Sequence, residues 1–322
     1  MSPVPHRVSV VIPCYRDAAT LGLALASLHG QTRRVEEIIV VNDCSPETDR
    51  IEAVLQRYPQ VVYIRNERNL GLAASRNVGL NAATGDVISF LDADDELHPQ
   101  KIEFQLRVFR PEIAVTCQVR RIGDSCELAE TAHCDNEFKV REVAESDSIV
   151  MRNSLTGAAL MISRELLAEF GGYDESLRSC EDFDLWLRLL DGGVSVVDIQ
   201  LPLYLYRYNE SGLSRNLLNV SRWELQVLRK YFERHGQPFL GTRADAHIWA
   251  FWLLKHLLRY ERCRESALRM EVRRNIQLLS KYPVLAALLA CTERFRLLRT
   301  VVAVADLRRV LSRGFAFNRH PV

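Results

Sequence analysis

Apolar positions in the first third of the chain fall into two rhythms. Val8-Ser9-Val10-Val11-Ile12 is a β-branched run closed by Pro13. Glu37-Ile38-Ile39-Val40-Val41 is a second run, Val61–Ile64 a third and Val87-Ile88-Ser89-Phe90-Leu91 a fourth. Runs of this length and type read as buried strands. Between them apolar residues recur at helical spacing: first Leu21, Leu25 and Leu28, then Ile51, Val54, Leu55 and Tyr58, then Leu72–Ala83 stopped by Gly85. Ser45 as N-cap and Pro46 in the first turn would open the middle helix. Strands alternating with helices predict an α/β fold, a mostly parallel sheet with helices on both faces.

In open sheets of this kind ligands bind beyond the carboxyl ends of the strands. The first strand ends in Pro13-Cys14-Tyr15, the second in Asn42-Asp43 and the fourth in Asp92-Ala93-Asp94-Asp95. Asp and Asn are common turn residues, so each alone has a structural reading. Asp43 could also be the acid of a dinucleotide site, but no G-x-G-x-x-G follows the first strand, where Gly22 stands alone. The Asp92–Asp95 run behind an apolar strand is harder to explain as a turn. Clustered carboxylates repel one another, and a bound divalent cation resolves the conflict.

Further along, Gly171-Gly172-Tyr173-Asp174-Glu175 is a glycine turn, followed by Ser179-Cys180-Glu181-Asp182-Phe183-Asp184-Leu185-Trp186-Leu187-Arg188. Phe183, Trp186, Leu187 and Leu190 share one helix face, a core stripe. Ser179 as N-cap with Asp182 resembles a capping box, and acids favour helix N-termini. The competing account makes one carboxylate a general base facing the cluster after the fourth strand. Spacing leaves both open.

Composition narrows the class. The chain has 322 residues, 48% hydrophobic and 26% charged, enough for a sizeable core and unlike a disordered or collagen-like chain. No apolar run approaches the roughly 18–20 residues of a transmembrane helix, and the start lacks the apolar core of a signal peptide. Eight cysteines without regular spacing suggest reduced thiols in the cytosol. The net charge of +1 hides an asymmetry: residues 1–221 carry 22 Lys+Arg against 33 Asp+Glu, and residues 222–322 carry 20 against 8. An acidic body and a basic tail mark a domain boundary.

The ordered segments from Val8 to about Ser214 resemble family 2 glycosyltransferases of the GT-A fold. They are Val10-Val11-Ile12-Pro13-Cys14-Tyr15, Ile39-Val40-Val41-Asn42-Asp43-Cys44-Ser45, Asn69-Leu70-Gly71-Leu72-Ala73-Ala74-Ser75-Arg76-Asn77, Phe90-Leu91-Asp92-Ala93-Asp94-Asp95, the Gly171–Glu175 turn, Glu181-Asp182-Phe183-Asp184-Leu185-Trp186 and Tyr204-Leu205-Tyr206-Arg207. The resemblance implies inverting transfer of a sugar from a nucleotide-diphosphate donor, most often uridine-linked, to an acceptor hydroxyl, in cell-surface polysaccharide or glycolipid synthesis. Pro13 and Tyr15 would line the base pocket, Asp43 would accept a hydrogen bond from the base, and Arg76 would sit by the nucleotide. Asp92 would face ribose and metal, Asp94 would bind Mn²⁺ or Mg²⁺, and Asp182 would be the general base. Trp186 could brace Asp182 from behind. Two positions depart from the family pattern. Arg16 stands where Asn is frequent, and Asn209 ends Tyr206-Arg207-Tyr208-Asn209 where the family commonly has His, so the metal shell would rest on Asp94, phosphate and water.

The expected organisation is a GT-A domain over about 1–218, with a nucleotide half over about 1–115 and an acceptor half over about 116–218, and a helical basic tail over 219–322. In the tail Trp249, Trp252, Leu253, His256, Leu257 and Tyr260 alternate with basic residues, and Val301–Val310 continues the helical pattern past a break at Tyr282-Pro283. Its basic clusters read either as solvated helix faces or as a peripheral contact with an anionic membrane on the cytoplasmic face. Packing against the acidic body is a third reading. No motif supports nucleic-acid binding. Cys117, Cys126, His133 and Cys134 lack the repeated spacing of a zinc site. Partners would be a nucleotide-diphosphate sugar and a saccharide or lipid-linked acceptor. A sugar-phosphate nucleotidyltransferase would want a glycine-rich stretch where Pro13–Asp17 stands. A non-enzymatic nucleotide-sugar-binding relative would keep the sheet without turnover. Without membrane helices a processive polymerase is disfavoured, and single-sugar transfer is expected.

Overall fold

The computed structural model describes residues 6–123, 137–151, 153–208, 216–235, 240–263, 266–283, 285–287 and 289–290. The chain divides into two compact units, Met1–Asn216 and Leu217–Val322. Cys126, His133, Cys134, Asn209 and Val301–Val310 lie outside the described residues.

The first unit is a mixed α/β layer structure. Its strands are β1 (Val8–Cys14), β2 (Glu37–Asn42), β3 (Val62–Arg65), β4 (Val87–Phe90), β5 (Glu96–Leu97), β6 (Ala114–Ile122), β7 (Val140–Val143), β8 (Met161–Ser163) and β9 (Val196–Arg207). Its helices are α1 (Leu21–His29), α2 (Thr48–Leu55), α3 (Leu72–Ala82), α4 (Lys101–Val108), α5 (Asp147–Val150), α6 (Arg164–Glu169) and α7 (Glu181–Asp191). The order in the sheet is β3-β2-β1-β4-β8-β6-β9-β5, with β7 on β9. The block β3-β2-β1-β4 is parallel throughout. β1 is buried at every position, as expected of a strand covered on both faces. β8 then enters antiparallel to β4, and β6 and β9 pair in parallel with a register shift at Cys117–Val119.

Register places the functional edge. Pro13 lies opposite Val41, Cys14 opposite Asn42 and Val11 opposite Phe90, so β1, β2 and β4 release their chains at one edge of the sheet. α2 starts later than the Ser45-Pro46 signal predicts, at Thr48 with Glu47 as N-cap. The reason is local. The Ser45 amide donates to Asn42 Oδ1 at 2.9 Å, and the Ser45 hydroxyl accepts from the Arg16 amide at 3.0 Å and the Glu47 amide at 3.1 Å, so the residue ties two strand ends together. Gly85 lets β4 start tightly: a Cβ there would lie 2.6 Å from both the Arg7 carbonyl and Ser9 Oγ.

One core side chain breaks the apolar pattern. Lys101, at the start of α4, is fully buried; its Nζ donates to Gln105 Oε1 at 2.7 Å and Ser89 Oγ at 3.0 Å. Burial pushes its amine down to about 8.

The second unit contains α8 (Leu217–Arg234), α9 (Arg243–Cys263) and α10 (Ser266–Gln277). Trp249, Trp252, Leu253, His256 and Leu257 form its buried stripe. Glu224 of α8 is held by His256 Nε2 at 3.0 Å and Arg259 Nη2 at 2.9 Å, which outweigh burial and bring its carboxyl down to about 2. No described helix is long and apolar enough to cross a membrane.

Candidate active site

Beyond β4 the chain turns at Asp92, where the Asp95 amide donates to the Asp92 carbonyl at 3.0 Å. Asp95 is buried and faces β9: it accepts from Tyr204 Oη at 2.8 Å and from the Arg207 amide at 2.7 Å. Tyr204 Oη in turn accepts the Asp92 amide at 3.2 Å, and Arg207 Nε donates to the Asp94 carbonyl at 3.1 Å. Asp95 is thus the anchor of the loop, and Asp92 and Asp94 remain as its outward carboxylates.

Those two carboxylates have a third neighbour that the sequence pattern did not single out. Asp17, beyond β1, accepts from the Tyr15 amide at 3.0 Å. Burial and the charges of Asp92 and Asp17 push Asp94 up to about 7; burial, against the Tyr15 amide, and then Asp92 push Asp17 up to about 6. Among the described residues Asp94 makes no ion pair, and no group of three His, Cys, Asp or Glu side chains forms a ready ligand set. The donor chemistry fits a hard divalent cation that completes its shell with phosphate oxygens and water.

Asp43 is also held by the chain itself. Its Oδ1 accepts from Asn66 Nδ2 and the Leu70 amide, and its Oδ2 from the Gly71 amide, all at 2.8 Å. It clamps the loop that leads into α3, where Gly71 takes φ 95° as N-cap. Oδ2 keeps acceptor capacity for a ligand. Pro13 is buried in the sheet beside it, whereas Tyr15 is exposed, with the Arg16 guanidinium 5.3 Å from its ring. The Asp43 amide donates to the Cys14 carbonyl at 3.0 Å, so Pro13, Tyr15 and Asp43 share adjoining strand ends.

Arg76 is brought in by α3. Its buried guanidinium donates through Nη2 to Asp92 Oδ1 at 2.8 Å and through Nη1 to Glu181 Oε1 at 2.6 Å, and lies 5.2 Å from the Tyr173 ring. Tyr173 is set by Asn77, which accepts its amide and donates to its carbonyl, each at 2.8 Å.

The start of α7 corrects the capping reading. Its N-cap is Cys180 in the left-handed region at φ 61°, with no side-chain cap bond, and Ser179 does not cap. Asp182 is half-buried, and among the described residues its Oδ1 accepts only a short-range bond from the Phe183 amide at 2.7 Å. Burial and the adjacent Glu181 charge raise its carboxyl above the ordinary range against the pull of Arg76; Asp92 adds to the rise, so the two carboxylates sense each other. Gly157, in a 3-10 turn over Gly157–Ala159, makes the space: a Cβ there would lie 2.2 Å from Asp182 Cβ. Trp186 is fully buried, and among the described residues its Nε1 has no partner.

Glu181 as the partner of Arg76 was missed by sequence reasoning, which had absorbed it into a first-turn acid pattern. The signal available was its place directly before Asp182 in a run of acids.

The sequence profile of glycosyl transferase family 2 matches residues 9–166. An uncharacterized glycosyltransferase of Haemophilus influenzae is 34% identical over 189 residues, covering 57% of this chain and 62% of its own length. The uncharacterized protein MT1568 of Mycobacterium tuberculosis is 30% identical over 203 residues, 59% of this chain and 64% of its own. The chain therefore spans less than two thirds of these relatives. Among solved structures, S. aureus TarS 1-349 in complex with UDP-GlcNAc superposes with a TM-score of 0.60 at 17% identity, over 87% of this chain and 81% of that one. The mannosyltransferase PcManGT from Pyrobaculum calidifontis, in complex with GDP-Man and Mn²⁺, gives 0.59 at 17% identity, over 96% and 84%. Sheet order and profile agree: residues 9–166 match glycosyl transferase family 2, and the fold is like that of the GT-A glycosyltransferases it superposes on.

Proposed function

We propose that the protein is an inverting glycosyltransferase that moves one sugar from a nucleotide-diphosphate donor, uridine-linked in the first instance, to a hydroxyl of a saccharide or lipid-linked acceptor of cell-surface polysaccharide or glycolipid synthesis. The observation that carries this is Asp182: a half-buried carboxylate of raised pKa, given room by Gly157 and connected through Glu181 and Arg76 to the Asp92 turn. Such a carboxylate suits proton abstraction near neutral pH. Pro13, Tyr15 and the free lobe of Asp43 Oδ2 would hold the base, and Asp92 the ribose. Asp92 and Asp94 would hold Mn²⁺ or Mg²⁺, which supplies neutralisation of the diphosphate charge. The acceptor oxygen bonds to the anomeric carbon as the bond to the diphosphate breaks, and its proton passes to Asp182. Attack on the face opposite the leaving group inverts that centre.

Complexes of the structural neighbours with UDP-GlcNAc and with GDP-Man and Mn²⁺ support this donor and metal class. The reading assigns catalysis to about residues 1–218, and to the basic segment 219–322 a peripheral contact with anionic lipid.

Calorimetry with uridine-, guanosine- and thymidine-diphosphate sugars, with and without Mn²⁺, is the test. One donor should bind in a manganese-dependent way and lose that dependence in Asp94→Ala. Asp182→Asn should keep donor binding and lose turnover by at least about 100-fold. Absence of binding to every donor overturns the proposal, and normal turnover by Asp182→Asn overturns the assignment of the base.

A further inference from the structure

The Arg76 guanidinium is 3% exposed and is divided between two carboxylates from distant parts of the fold. Asp92 follows β4, and Glu181 opens α7 immediately before Asp182. A planar guanidinium keeps the directions of its N–H groups fixed, so while both bonds hold, the two carboxylates cannot move independently. The plane is supported by Tyr173 at 5.2 Å and Phe90 at 5.9 Å, and Tyr173 meets Phe90 edge-on with ring centroids 5.3 Å apart. An acid in the first turn of a helix ordinarily answers the helix dipole from solvent. Glu181 is instead buried, its side chain 8% exposed and turned onto Arg76. The dipole does not account for that burial.

We propose that Glu181 is a positioning residue: through Arg76 it ties the first turn of α7, and the Asp182 carboxylate on it, to Asp92 on the donor side. The span from Asp92 to Glu181 then sets where Asp182 stands when the acceptor hydroxyl arrives. This rests on the transferase reading of the same site.

The test uses the full chain and water as the acceptor. Release of nucleoside diphosphate is followed from UDP-N-acetylglucosamine, UDP-glucose, GDP-mannose and TDP-glucose with Mn²⁺; calorimetry gives the Kd of the sugar that is turned over. Glu181→Ala should lower kcat about 100-fold, the scale of a misplacement near 1 Å, with donor Kd within about threefold of wild type. Glu181→Gln keeps an oxygen for Arg76 Nη1 and should recover kcat to within about fivefold. Glu181→Asp, one methylene shorter, should fall well below Gln even if the alanine variant does not fold.

Wild-type kcat in Glu181→Ala, equal losses in Gln and Asp, or loss of donor binding together with turnover overturns the proposal. Turnover by the wild type with unaffected variants removes this inference alone. No release by the wild type from any of the sugars removes the transferase reading as well.

Discussion

Arg16, Cys44 and Cys180 hold φ of 64°, 54° and 61°, a region that favours glycine and, less strongly, asparagine. All three flank the candidate site, two beyond strand ends and one ahead of α7, where local strain is most often retained for function. Among the described residues the Cys44 side chain makes only a weak Sγ contact, 3.6 Å from the Glu67 carbonyl. Cys44→Gly should therefore stabilise the protein by about 0.5–1 kcal/mol, read as a higher urea midpoint. An unchanged or lower midpoint means the turn is not strained there. At this scale Asp92, Asp94 and Asp182 were legible as candidates because their residue types sit in motifs of fixed order. Asp17 and Glu181 were not: each acts through neighbours brought close by the fold, and an acid in a turn or a helix start has a sufficient local explanation.

The short 3-10 turn at Gly157–Ala159 and α7 approach so closely that no side chain fits between them. A methyl on Gly157 would lie 2.6 Å from Asp182 Oδ2 as well as against its Cβ. Gly157→Ala should displace the carboxylate and lower turnover about 100-fold while donor binding persists. Full activity in that variant would mean that α7 yields freely and that Asp182 does not require this position. The parallel strands were readable because each is an apolar β-branched run between helical segments. The rest of the sheet was hidden for physical reasons. β5 and β8 are too short to show a period, and β6 alternates only partly, with a register shift against β9. β9 pairs in opposite senses with β6 and β7, which local sequence does not encode. The Ser45-Pro46 start failed because Ser45 is tied to Asn42 and Arg16, and the capping signal at Ser179 failed because Cys180, in the left-handed region, takes the N-cap position.

For the molecule as a whole, the buried Lys101 is a stability liability with a definite pH signature. Its folded pKa of about 8 lies below the ordinary 10.5, so between these values the unfolded chain binds more protons and stability rises with pH; below about 8 the penalty is constant. That difference corresponds to roughly 3 kcal/mol. Lys101→Met should raise stability at pH 7 by about 1–2 kcal/mol, after loss of the bonds to Ser89 and Gln105, and should flatten the rise between pH 8 and 10 in urea titrations. A lower stability at pH 7 would mean that the amine is a net support of the core. Arg76 carries a consequence of another kind. Because one side chain is answerable to acids both beyond β4 and at the start of α7, descent cannot readily alter the two segments separately. A relative that exchanges its later segment for another should inherit an acid at the position of Glu181 along with it, and a lineage that loses Arg76 should be found to have changed both partners.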